Sequence, residues 1–146
     1  MKNLKRAAVC IMIGMMAAAP GAFAQYTVSG QYRPLTEKTL EQVKKNFSMG
    51  LRSGNAGVIE STLMLVGQMK MRYPDCDMEG LQRLVEQLAS AGPSDRIRYK
   101  AYLTAALCGD TEWFSADPKI MAAPSGQYFS AVAERLNMKF LGLNSL

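Results

Sequence analysis

Four carboxylates in this chain are spaced as ligands for a hard cation. Asp75, Asp77, Glu79 and Glu86 take the first, third, fifth and twelfth places of a window with Gly80 at the sixth, and oxygen ligands so placed around a glycine turn are what a calcium-binding loop requires. The window departs from that chemistry at three points. Pro74 stands where an incoming helix should still be running, the fifth place is Glu rather than Asp or Asn, and Gln82 replaces the apolar eighth residue. Acidic side chains at a helix start also serve a plainer purpose, because the macrodipole favours them there. The segment is therefore read as a charged helix start, and no metal or other cofactor is expected; a calcium loop is the alternative.

Other reactive groups are few. The chain has no histidine, which removes Ser-His-Asp and Cys-His nucleophile systems and the commonest zinc ligand. Neither Cys76 nor Cys108 belongs to a Cys-x-x-Cys pair, no glycine-rich phosphate loop is present, and nothing nominates a glycosidase-type carboxylate pair. The expectation is a protein that is not an enzyme.

The first 24 residues predict an address. Lys2, Lys5 and Arg6 precede an apolar run from Ala7 to Ala19, followed by Pro20-Gly21 and Ala22-Phe23-Ala24, the layout of a signal peptide cleaved before Gln25. The run is too short for a stable membrane span and no later segment is long enough, so a secreted or periplasmic chain without stable membrane insertion is expected. Of 17 Lys and Arg against 12 Asp and Glu, three basic residues leave with the signal, which turns a formal +5 into about +2. A near-neutral chain gives no footprint for nucleic acid.

The remaining residues read as helices. Leu40, Val43, Phe47 and Leu51 make one apolar face, with Thr36 as cap and Leu35 and Leu40 as a hydrophobic staple. A second helix runs from about Ala56 to Arg72, with Val58, Ile59, Thr62, Leu63, Leu65, Val66 and Met69 on a wide face, stopped by Tyr73-Pro74. A third spans Met78 to Ala91 behind Asp77, and a fourth Asp95 to Leu107 behind Ser94, with Ile97, Ala101, Tyr102, Leu103 and Ala105 inward, Arg96, Arg98 and Lys100 in solvent, and Gly109 as its stop. Residues 110–124 show no period, although Trp113-Phe114 should fold onto the core, since exposing them forfeits roughly 2 to 3 kcal/mol each. A last helix covers about Gln127 to Leu141, capped by Ser125, with Phe129, Val132, Ala133, Leu136 and Phe140 inward. Residues 25–35 read as an extended arm, and 36–146 as a single helical domain.

The second and fourth helices repeat. Aligning Asn55 to Gly67 with Ser94 to Ala106 gives an offset of 39 residues, while Val43/Leu84 and Phe47/Leu88 match at 41; a period near 40 belongs to stacked helical pairs. At Asp95, Ile97, Arg98 and Ala101 in one unit, and Val58, Val66 and Gly67 in the other, the chain resembles the HEAT-repeat family. Ile59 stands where that family usually has Arg, and Ala106 where it has Gly. The resemblance covers residues 36–109. It implies an all-α, HEAT-like α-α superhelix of two helical pairs; because two units are fewer than a stack normally needs, the C-terminal helix is expected to cap the open face of the second pair to give five helices, with an irregular helical bundle as the alternative.

Such a fold implies an exported, non-catalytic interaction or scaffolding module of the cell envelope with a protein partner, by analogy of fold alone. Arg98, Tyr99 and Tyr102 are the candidate contact residues, because tyrosine beside arginine is the usual make-up of an interface hot spot. The alternative is a ligand- or calcium-responsive binding protein using the acidic loop 75–86. Export also bears on the thiols. An even number of cysteines in an oxidising compartment favours pairing, and a hairpin turning at Gly92-Pro93 brings Cys76 and Cys108 to the same end. A disulfide between them is expected, with two buried thiols as the alternative.

Overall fold

The structure is a computed structural model that describes residues 36–142. The described residues belong to one compact unit that begins at Thr36; the expected signal at 1–24, the arm at 25–35 and the Leu35 side of the staple lie outside the described residues. Among the described residues the second unit is all-α, with seven helices: α1 (Glu37–Leu51), α2 (Ala56–Arg72), α3 (Glu79–Ala91), α4 (Asp95–Gly109), α5 (Thr111–Ser115), α6 (Pro118–Ala122) and α7 (Tyr128–Phe140).

Side-chain caps set most of these boundaries. Thr36 accepts from the Thr39 N–H, Asn55 from those of Gly57 and Val58, and Ser94 from that of Ile97, each satisfying donors that a helix start leaves open. Asp77 acts one residue earlier than expected. Met78 is the N-cap residue of α3, while the Asp77 carboxylate accepts the Glu79 N–H at 3.1 Å. Ser125 does not cap α7, which begins after Gln127 without a side-chain cap. Nor does Gly109 stop α4. It is the last helical residue, and Asp110 closes the helix with its N–H on the Ala106 carbonyl while its side chain accepts from Trp113 N–H to open α5.

Helices α1 to α4 form two antiparallel hairpins lying side by side, with α1 against α3 and α2 against α4. The register of α2 and α4 is fixed by contacts at a nearly constant separation: Lys100 reaches Glu60, the Thr104 hydroxyl, bonded to the Lys100 carbonyl at 3.0 Å, lies 3.5 Å from the Leu63 carbonyl, and Leu107 lies against Gly67. Residue numbers rise together along both helices, so the two are parallel. Neighbouring positions are 40 or 41 residues apart, not the 39 that aligns the caps Asn55 and Ser94. The difference is visible in burial. Val58, matched by sequence to Ile97, is 44% exposed while Ile97 is fully buried; a separation of 41 instead pairs Val58 with the exposed Tyr99, and Leu63, Val66 and Gly67 with the buried Thr104, Leu107 and Cys108. Two residues turn a helix by about 200°, enough to exchange inside for outside.

The aperiodic segment 110–124 holds two helices of five residues each, started by Asp110 and by Asp117 with Pro118 at the first turn. Neither is long enough to show a period. With α7 they form a further layer over α2 and α4. Phe114 folds inward as expected and is fully buried in a cluster with Met71, Leu103, Leu107, Ile120, Tyr128, Val132 and Leu136. The C-terminal helix does not cap the open face of the second hairpin. Tyr128 sits against both Gly67 of α2 and Leu107 of α4, so α7 bridges the two hairpins, and among the described residues no helix covers the far side of α3 and α4. Phe140, expected inside, is 72% exposed. Lys139 already reaches Asp110, where α4 ends, and one residue further α7 has outrun the helix it packs on.

Candidate functional site

The acidic segment lies between α2 and α3, and its carboxylates diverge. Asp77 caps α3 and stands 3.9 Å from Lys44, Glu79 faces Arg83 at 3.5 Å along the same helix, Asp75 is exposed, and Glu86 lies nearly two turns into α3. Among the described residues no group of three or more His, Cys, Asp or Glu could hold a metal ion. Millimolar calcium should accordingly leave the melting temperature unchanged. A true site at 100-fold excess of ion over its Kd would add about 2.7 kcal/mol, so a calcium-dependent rise that Asp77→Ala abolishes would restore the calcium loop.

Both described cysteines are free thiols. The hairpin of α3 and α4 is antiparallel as expected, but Cys108 faces Gln82, Val85 and Glu86, with which it lines a recess of about 110 Å³ together with Ala105 and Gly109. Cys76 stands before α3 begins, its thiol 3.8 Å from the Asp77 carbonyl. Burial pushes the Cys108 thiol up to about 11, only partly offset by Lys70 and reinforced by Glu86. A buried thiol that stays protonated is a poor nucleophile. In the folded chain Cys108 should resist iodoacetamide at neutral pH and react once urea is added. The same shift has a sign for stability: the native state holds its proton longer than the unfolded chain, so stability falls as pH rises from about 9 through about 11. Labelling of Cys108 as fast in the native state as in urea would contradict this burial.

The third set of candidates, on α4, is brought together. Tyr99 and Tyr102 are 55% and 47% exposed, one turn apart. Arg98 is anchored beside them, with one guanidinium nitrogen donating to the Gly92 carbonyl at 2.9 Å and another to Asp95. Two donor bonds fix the fork of a side chain that is otherwise mobile. The basic residues of this helix are not a free cationic face. Glu60 reaches across from α2, with Arg96 Nε 2.7 Å from its Oε1 in an ion pair lacking hydrogen-bond alignment, and with Lys100 on Oε2. Lys100 also lies 5.0 Å from the Phe129 ring centroid. Expecting Arg96, Arg98 and Lys100 as solvated charge missed this hub; a single Glu among the apolar residues of α2 was its one trace in sequence.

The surface around Tyr99 and Tyr102 thus presents large aromatics on a rigid, largely charge-neutralised helix. Its chemistry is that of contact. No family model matches the chain, and no curated protein or solved structure matches it.

Proposed function

We propose that this protein is an exported, non-catalytic interaction module of the cell envelope, built from two HEAT-like helical pairs and using the outer side of α4 to bind a protein partner. The observation that carries the reading is the exposure of Tyr99 and Tyr102 beside an anchored Arg98 on a helix whose opposite side is core. Tyrosine offers large contact area with few rotatable bonds, and an arginine already fixed loses little freedom on binding. Parallel stacking of α2 on α4 near a 40-residue period supports the repeat reading, and among the described residues no helix is long and apolar enough to cross a membrane. Export rests on residues 1–24, whose removal leaves Gln25 as the first residue.

Two measurements test this. N-terminal analysis of protein recovered from the envelope or medium should begin at Gln25, and retention of residues 1–24 would remove the export half of the reading. The wild-type chain, immobilised and exposed to envelope extract, should retain a partner that Tyr99→Ala/Tyr102→Ala loses at least tenfold, with the melting temperature nearly unchanged because both rings are half in water. An unchanged set of captured proteins would remove α4 as the binding surface.

A further inference from the structure

The side of α3 and α4 that no other described helix covers is complementary to itself. Arg98, Tyr102, Ala105 and Gly109 recur at spacings of four, three and four and so form one stripe along α4. Tyr102 projects from the stripe, and one turn further on the residues lack bulk: Ala105, Cys108 and Gly109 join Gln82, Val85 and Glu86 of α3 to leave the recess of about 110 Å³. A knob and a hole therefore lie on one face, on either side of a single point of α4. The charges follow the same plan. The Arg98 guanidinium stands on the knob side, and the Glu86 carboxylate, engaged by no ion pair among the described residues, stands at the hole. A face with a knob and a cation on one side of a point, and a hole and an anion on the other, matches its own copy under a two-fold rotation.

We propose that this face binds a second copy of the chain, in an isologous dimer where the two α4 helices lie antiparallel, Tyr102 of each copy enters the recess of the other, and each Arg98 meets the other copy's Glu86. The proposal rests on α4 being the interaction surface and names its occupant. Stacking logic agrees: two helical pairs are fewer than a stack normally needs to bury its faces, and end-to-end pairing makes four, covering the side that α7 leaves bare.

Sedimentation velocity of the chain as purified from its producing cells, over a concentration series, tests this. A concentration-dependent dimer is expected. Tyr102→Ala and Glu86→Arg should each weaken it at least tenfold, and combining Glu86→Arg with Arg98→Glu should recover most of the loss, with circular dichroism confirming that every variant is helical. The swapped pair guards against a single variant that fails to fold. A chain that stays monomeric at every concentration, or a dimer indifferent to both Tyr102→Ala and Glu86→Arg, would overturn the proposal. Where the chain is monomeric yet Tyr102→Ala still abolishes capture of another envelope protein, self-pairing fails and the interaction reading stands.

Discussion

Replacing Arg135 with alanine destabilises the fold by about 3 kcal/mol, the largest effect expected of any polar residue here. Arg135 is 3% exposed, and among the described residues no carboxylate pairs with it. Its partners among the described residues are all on Trp113. Nε and one terminal nitrogen donate to the Trp113 carbonyl at 3.2 and 3.0 Å, the guanidinium carbon lies 3.9 Å from the Trp113 ring centroid, and the indole N–H donates back to the Arg135 carbonyl at 3.3 Å. A carbonyl and the electron-rich face of an indole thus replace a counter-ion, and together they clasp α5 to α7. Because the fork and the stacking plane both matter, Arg135→Lys should lose most of the same stability although it keeps the charge. Urea denaturation followed by Trp113 fluorescence measures both variants; a loss below about 1 kcal/mol for Arg135→Ala would mean the clasp adds little to the fold.

Gly67→Ala should cost about 2 kcal/mol, although alanine is the better helix former by about 1 kcal/mol. A Cβ at this position would lie 2.5 Å from the Tyr128 hydroxyl, and the ring cannot swing away because Tyr128 is buried among Leu107, Phe114 and Val132. Among the described residues the hydroxyl has no hydrogen-bond partner, and burial, with Cys108 nearby, pushes the phenol pKa up so that it stays neutral. Removing an unpaired buried hydroxyl is close to neutral or stabilising. Tyr128→Phe alone should therefore leave stability unchanged or slightly higher, and in the Gly67→Ala background it should return most of the loss. A double-mutant cycle reads this coupling directly. Additive effects would mean that Gly67 and Tyr128 do not share the contact through which α7 reaches α2.

The helices were legible where their signals are local. Ala56–Arg72 lies between an Asn cap and Tyr73-Pro74, and both signals act within a few residues of the boundary they set. Exposure of Tyr99 was legible too, since it falls outside the inward set of α4, whereas Tyr102, read as inward with Ile97, Ala101, Leu103 and Ala105, is 47% exposed because it lies on the side of the helix opposite Thr104 and Leu107. What escaped depends on contacts made far along the chain. Trp113 and Arg135 are 22 residues apart, and an arginine between Val132 and Leu136 reads as a solvent-facing charge until the indole is placed beneath it. The stacking register failed for a related reason: caps mark where α2 and α4 begin, whereas Glu60, Leu63 and Gly67 decide how far one helix slides along the other. Phe140 fits the period of α7 but not its length, because a period does not tell where the neighbouring helix ends. The recess at Glu86 and Ala105 needs two helices to exist at all, and no single stretch of sequence announces it.

Hydroxyl-radical footprinting of the chain bound to its captured partner, compared with the dissociated chain, tests most directly whether the outer side of α4 is where this protein is contacted. Met49 and Phe140 are exposed at sites remote in sequence from α4 and serve as internal controls. Oxidation of Tyr99 and Tyr102 should fall several-fold in the complex while Met49 and Phe140 react as before. Protection confined to Met49 or Phe140, with both tyrosines as reactive as in the dissociated chain, would contradict it.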